Sequence, residues 1–288
     1  MKTGAVIVTY NADIQKLTKS MSRLAAEVDE VCVVDNTRDD SLRPVLSAFA
    51  NCTYFPQYKN TGIAAAQNVG IRHFISQHFD FVLFSDQDTL MPEGTVGQLY
   101  DIFRKLEAKR YSPGAVCPRA YNASTGDAYP HQVNAIGPLT IDNHHLTEVT
   151  YTMNSISFIP LRLFAEVGLM EESLFIDGVD SEWCWRANRQ KGVRFFVDED
   201  LRISHLLGNG ERTVGGKSIS ITPPYRMFYQ YRNYLWLCRR SYVPLKWKCY
   251  NGFKYLAKVA YYGLLDKQRK EYLRQMAKGL RAGIRKKQ

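Results

Sequence analysis

Asp86-Gln87-Asp88 sets two carboxylates two positions apart, directly after the apolar run Phe81 to Ser85. Hard carboxylate oxygens suit Mg2+ or Mn2+, and an ion held there could bridge two phosphates and neutralise a departing diphosphate. Two acids beside a turn have a plainer use, capping the next helix, and a triplet this short has little specificity alone. A second acidic run, Phe175-Ile176-Asp177-Gly178-Val179-Asp180-Ser181-Glu182-Trp183, puts three carboxylates at a predicted helix start. A carboxylate in such a place can take the proton of an attacking hydroxyl, and negative charge nearby favours an oxocarbenium-like transition state. The structural alternative makes Asp180 an N-cap and Glu182 a counterweight to the helix dipole, and the two uses are compatible. His205 follows the β-like run Leu201 to Ser204. A lone histidine is more commonly structural, but near Asp88 it would complete a metal site.

These groups cooperate only if the fold gathers them. The first half alternates β-rich runs with helical patterns, which predicts an α/β layer architecture with a largely parallel sheet. Strands are expected at Gly4 to Thr9, Val31 to Val34, Thr53 to Phe55 and Phe81 to Ser85, and helices at Asp13 to Glu27 and Ile63 to Ser76, with Pro92 opening another. Ligands of such sheets bind beyond the carboxyl ends of the strands, so the polar residues after the first, second and fourth strands should share one crevice. Beyond it, Ala115 to Arg119, Val149 to Ile159 and Val193 to Val197 read as strands, Val179 to Lys191 as a helix, and His144-His145 as a loop pair. Leu207 to Pro224 is rich in Gly and Ser and reads as a mobile loop or boundary, dividing the chain into 1–215 and a helical 216–288.

With 288 residues and 45% hydrophobic content the chain can bury one large core, which excludes a fully disordered protein. Six scattered cysteines read as reduced core thiols, the apolar stretch Ala5 to Thr9 is too short for a secretion signal, and no apolar run is long enough to span a bilayer. The net charge of +10 is unevenly spread. Tyr225 to Gln288 holds 17 Lys and Arg against Asp266 and Glu271, a net +15, while the remainder, with 21 basic and 26 acidic residues, carries −5. A basic tail on a mildly acidic body calls for an anionic partner: phospholipid, nucleic acid or a phosphorylated substrate.

Five ordered blocks carry a family resemblance: Val6-Ile7-Val8-Thr9-Tyr10-Asn11, Val33-Val34-Asp35-Asn36, Asn60 to Gly70, Ser85-Asp86-Gln87-Asp88, and Phe175 to Arg186, with His205 beyond them. Together they resemble the family 2 glycosyltransferases of the GT-A fold, and within these the bacterial rhamnosyltransferases of O-antigen and other surface polysaccharides. The resemblance implies a Rossmann-like nucleotide-binding half with a mixed central sheet. It implies that Thr9, Tyr10, Asn11, Asp35 and Asn36 hold the donor's base and ribose, that Asn60 and Asn68 line the nucleotide pocket, and that Gln87 belongs to the donor site. By the same likeness Asp88 is the chief metal ligand, with Asp86 nearer the ribose or metal and His205 as a further ligand. The resemblance likewise implies that Asp180 is the base and that Glu182 and Trp183 shape the acceptor side. Gly178 departs from the bulkier aromatic residue common in the family, which would enlarge the acceptor pocket. The rhamnosyl branch is implied by the Asp-Gln-Asp triplet, by the Asp-Gly-Val-Asp-Ser-Glu-Trp block and by Arg226…Tyr229…Arg232-Asn233. The implied reaction is a single displacement on dTDP-β-L-rhamnose giving an α-L-rhamnoside on a lipid-linked glycan. UDP-galactofuranose and UDP-hexose enzymes share much of the pattern.

The tail interleaves aromatic residues with its cations, a composition suited to an anionic membrane surface such as the cytoplasmic face of a bacterial inner membrane. The expected arrangement is aromatic packing on one side and charge attraction on the other, with Arg226 and Arg232 available to a phosphate. A nucleic-acid-binding protein would share the basic aromatic tail, but it leaves the acids after the strands without a role. A noncatalytic nucleotide-sugar binder would have no need of both the triplet and Asp180.

Overall fold

The computed structural model describes residues 1–122, 126–129, 135–153, 155–205, 211–214, 217–220 and 222–285. The first half runs β1 (Thr3–Thr9), α1 (Ile14–Ala25), β2 (Glu30–Asp35), α2 (Arg43–Leu46), β3 (Cys52–Pro56), α3 (Ile63–Ser76), β4 (Phe81–Asp86) and α4 (Thr95–Ala108). It continues through β5 (Pro113–Asn122), β6 (Ala135–Ile141), β7 (His144–Val149), β8 (Ser157–Pro160), α5 (Arg162–Val167), α6 (Val179–Lys191) and β9 (Arg194–His205). A hairpin, β10 (Glu211–Val214) and β11 (Lys217–Ser220), precedes three helices, α7 (Pro224–Cys238), α8 (Leu245–Leu265) and α9 (Arg269–Arg285).

Strands β1 to β9 form one sheet in the order β3-β2-β1-β4-β8-β5-β9-β7-β6. The pairs β3-β2, β2-β1 and β1-β4 are parallel, so these four strands end on the same edge. β1 and β2 are apolar on both faces because helices cover both sides, as inner parallel strands require. Asp13 starts α1 by accepting hydrogen bonds from the Gln15 and Lys16 amides, and Leu17, Met21 and Leu24 turn its apolar stripe onto the sheet. α3 approaches β1 closely, because a Cβ on Gly70 would lie 2.5 Å from Val6 Cγ2.

Several expected boundaries move. Pro92 does not open α4; the helix begins after Gly94, and Glu27 supplies the cap by accepting from the Gly94 and Val96 amides at 2.6 and 2.8 Å. The single strand expected over Val149 to Ile159 is two, since β7 ends at Val149 and Ile156 takes φ 59° before β8 turns antiparallel to β4. His144 and His145 begin β7, where the His145 amide donates to Asp200 at 2.8 Å, so they are not a loop pair. The stretch from Leu207 to Pro224 contains the β10-β11 hairpin, and the boundary expected between residues 215 and 216 lies outside the described residues. Cys32, Cys117 and Cys184 are buried free thiols, but Cys249 is exposed.

The C-terminal helices pack through their rings. Met227, Tyr231, Tyr262, Tyr272 and Met276 form one buried cluster, and Trp185 of α6 meets Leu237, Val243 and Trp247 in another. α9 lies against α7 through Gly279 and Gly283, one turn apart, where added Cβ atoms would overlap the Phe228 carbonyl and reach 2.8 Å from Leu235 Cδ1. Gly279→Ala should therefore destabilise the protein by about 1–3 kcal/mol, the usual scale of overpacking, although Ala is the better helix former. A thermal midpoint equal to or above wild type would refute that contact.

Candidate functional site

A cleft of about 510 Å³ opens at the shared carboxyl edge of β1, β2 and β4. Its walls include Thr9, Tyr10, Asn36, Asn60, Asp86, Gln87, Asp88, Asp180 and Arg226. The two acidic runs, distant in sequence, thus face one space. The joining contacts are specific. Asn36, just past β2, accepts from the Thr61 amide and hydroxyl at 3.2 and 2.8 Å and donates to the Gly62 carbonyl at 3.2 Å. Gly62, at φ +85°, sits where any Cβ would strike Phe175, and the Ile63 amide donates to the Phe175 carbonyl at 2.7 Å. The loop opening α3 is thereby docked on the loop opening α6.

The floor is a hydrogen-bonded knot around Asp35. Its carboxylate accepts from Thr9 Oγ1 at 2.8 Å, the Thr37 amide and hydroxyl at 3.0 and 2.6 Å, and the Tyr54 hydroxyl at 3.0 Å. Burial and the neighbouring Asp35 charge push the Tyr54 phenol well above its usual range. Asp35 is buried behind the wall of the cleft, and Asn11, whose amide donates to Thr37 Oγ1 at 2.9 Å, also stands outside the lining. The Tyr10 amide donates to Gln87 Oε1 at 3.0 Å, tying β1 to the acidic triplet. Asp86 accepts a short hydrogen bond from the Ser155 hydroxyl.

The rim from Phe175 to Gly178 is conformationally tight: Phe175, Asp177 and Gly178 have φ of 65°, 65° and 90°. Backbone in this region persists only when its surroundings hold it. α7 supplies the hold. Asn233 Nδ2 donates to the carbonyls of Leu174, Ile176 and Asp177 at 2.9, 2.7 and 2.9 Å; Tyr229 stacks on Phe175 with centroids 4.7 Å apart; and Arg226 pairs with Asp177. Gly178, in the left-handed region, is the N-cap of α6, so Asp180 stands in the first turn and is not the cap. A side chain at Gly178 would also reach 3.0 Å from Leu237 Cδ1, so the glycine answers a backbone need beyond any enlargement of the pocket.

Four further expected site residues face elsewhere. Glu182 is 0% exposed, bonded to Arg186 Nε at 2.9 Å, Arg240 Nη1 at 2.8 Å and the Tyr242 hydroxyl at 2.6 Å. Trp183 is buried against Phe164 and donates to the Gly168 carbonyl at 2.9 Å. Neither is at an acceptor surface, because both point into the layer between α6 and its neighbours. Asn68 is a clamp: it donates to the Met170 carbonyl and Glu172, and accepts from the Met170 amide at 2.9 Å. Arg232 is spent on the Ser173 and Leu174 carbonyls at 2.8 and 2.9 Å, with its guanidinium 4.3 Å from the Trp236 ring, instead of facing a phosphate. Met153, Ser155, Ile176, Asp177 and Tyr225 also line the cleft, beyond the residues that the motifs point to. Asp177 and Tyr225 were within reach, one inside the second acidic run and the other beside Arg226.

His205 closes β9, paired with Asn122, and its side chain lies outside the described residues. The neighbouring Ser204 bridges to Leu90, which brings that strand end alongside the segment just after Asp88. Among the described residues, the trio whose ligand atoms lie within 4.8 Å of one another is His144, Asp198 and Asp200. Its members sit on β7 and β9, outside the cleft lining. Asp86, Asp88, Asp177 and Asp180 are the acids that line the cleft, and carboxylate oxygens suit a hard cation such as Mg2+ or Mn2+.

Solved structures share this architecture. Staphylococcus aureus TarS, residues 1–349, superposes with a TM-score of 0.60 at 15% identity over 98% of this chain and 81% of that one. GalNAc-T7 with UDP, GalNAc and Mn2+ superposes with a TM-score of 0.57 at 14% identity, covering 77% of this chain and 45% of that one. The fold is GT-A, with a large mixed sheet and three C-terminal helices. The model of "Glycosyl transferase family 2" matches residues 5–158, and the chain belongs to that family. It is 30% identical over 247 residues to the dTDP-rhamnosyl transferase RfbF of Shigella flexneri, covering 84% of this chain and 81% of the relative. It is 25% identical over 192 residues to the low-salt glycan biosynthesis hexosyltransferase Agl10 of Haloferax volcanii, covering 64% and 61%.

Proposed function

We propose that this glycosyltransferase is metal-dependent and inverting, moving L-rhamnose from dTDP-β-L-rhamnose to a lipid-linked glycan in surface-polysaccharide synthesis of the O-antigen type. The carrying observation is that Asp86, Asp88 and Asp180 line one cleft at the carboxyl ends of the parallel strands. The likeness to a dTDP-rhamnosyl transferase over most of both chains supports the choice of donor. In this reading Thr9, Tyr10, Asn36 and Asn60 hold the nucleoside, with Asp35 fixing Thr9 from behind. Asp88 and Asp86, with His205, would hold Mg2+ or Mn2+. When bound, the ion neutralises charge on the leaving diphosphate. Asp180 accepts the proton of the acceptor hydroxyl as its oxygen bonds to the anomeric carbon and the bond to the diphosphate oxygen breaks. One displacement inverts the centre and yields an α-L-rhamnoside.

Residues 1–215 form the catalytic part in this scheme, and 216–288 the helical part that meets an anionic membrane at the cytoplasmic face of the bacterial inner membrane. The 17 Lys and Arg of the tail support that partner, and no helix among the described residues is long and apolar enough to cross a membrane. Calorimetry with dTDP-rhamnose, UDP-hexoses and UDP-galactofuranose, with and without Mn2+, tests donor and metal together. Asp88→Ala should abolish the Mn2+-dependent part of donor binding. Equal affinity with and without the ion in the wild type would remove the metal, and tighter binding of a UDP-sugar would replace rhamnose.

A further inference from the structure

α8 wears its apolar side outward. Its inner face carries Trp247, Asn251 and Tyr262, while Phe253, Leu256 and Leu264 are 75, 69 and 77% exposed. The exposed Cys249, Ala257 and Ala260 fill the same side at helical spacing. At 1.5 Å per residue the stripe from Cys249 to Leu264 is about 22 Å long. α9 repeats the pattern: Leu273, Leu280 and Ile284 are exposed on one line, and Lys270, Arg274, Lys278 and Arg281 are exposed along its flank. The two lines adjoin where Leu273 lies over Gly263. Scattered exposed apolar residues are ordinary on soluble proteins, but contiguous stripes edged by cations mark a surface that meets something.

Charge selects the occupant. A second copy would bring two tails together, each with 17 basic and two acidic residues, and they would repel. An anionic bilayer offers hydrocarbon to the stripe and headgroup phosphates to the flank. No described helix is long and apolar enough to cross a membrane, so contact of α8 with a bilayer would place it in the interfacial plane.

We infer that α8 and α9 form a bilayer-inserting face, in which the stripe centred on Phe253 enters the boundary between headgroups and acyl chains while the flanking lysines and arginines meet lipid phosphates. This rests on the membrane reading above and changes its physics: the attachment is by apolar insertion as well as by charge. The test is flotation of the full chain with vesicles of equimolar phosphatidylcholine and phosphatidylglycerol. Molar salt shortens electrostatic reach to roughly 3 Å, so the wild type should stay on the vesicles through its stripe. Phe253→Glu combined with Leu264→Glu should lower partitioning by about a hundredfold. In a Phe253→Trp chain, brominated lipids should quench the added indole. The inference is overturned if molar salt releases the wild type as completely as the double variant, or if brominated lipids leave the added indole unquenched. It is equally overturned if sedimentation shows a wild-type dimer that the double variant breaks without any vesicle binding, which would make a second copy the occupant. Donor affinity and transfer to a water-soluble acceptor should be the same in the wild type and the double variant. Failure of the rhamnosyltransferase reading would appear separately, as absence of dTDP-rhamnose binding in both proteins with the flotation result intact.

Discussion

Asp180→Asn is expected to lower turnover by about a hundredfold or more while donor affinity stays near wild type, the scale associated with losing a general base. Asn preserves the size of the side chain and its place in the first turn of α6 while removing its charge and its capacity to accept a proton. Gly178 caps the helix, so the substitution leaves the N-cap intact. Single-turnover transfer measured beside calorimetric donor binding separates the two effects. Unchanged turnover would take Asp180 out of the chemistry, and loss of donor binding would move it to the donor side.

Glu182→Ala should instead act on stability. Its carboxylate is fully buried and answers four donors, two on Arg186 and one each on Arg240 and Tyr242, with Arg240 also paired to Glu171 at 3.0 Å. Removing the carboxylate leaves the largely buried Arg186 without its ion pair and Arg240 with Glu171 alone, a change on the scale of about 3–5 kcal/mol. The midpoint of denaturant unfolding reports it, and at low temperature the folded fraction should still transfer sugar. A loss below about 1 kcal/mol would mean that the network behaves like a solvated surface pair. The contrast with Asp180 is instructive because the two acids stand two positions apart on one helix.

That contrast also marks how far the sequence could be read. The parallel strands and the crevice at their ends were legible because inner strands are continuously apolar and stop abruptly at polar residues, as at Asp35 and Asp86. Residue type, however, does not give direction. A helix turns about 100° per residue, so an Asp180 that faces the cleft sends Glu182 about 200° round the axis, into the core. The available signal was the i, i+4 spacing of Glu182 and Arg186. Asn68 and Arg232 misled for a related reason: polar side chains in a motif can be engaged by backbone carbonyls as readily as by a ligand. The outward apolar side of α8 was hidden because the sequence interleaves it with lysines and with the buried Trp247, Asn251 and Tyr262.

The brace on the cleft rim has a practical consequence. Asn233, Arg226 and Tyr229 grip the loop that precedes Asp180, and the helix carrying them leans on α9 through two glycines. If the helices anchor the chain as inferred, catalysis and anchoring would share a keel. Trimming the chain after Pro224 would take away both at once, so a shortened enzyme would be crippled whether or not it ever touched lipid. Separating the two requires single substitutions on the outer side of α8, which spare the timber holding the rim.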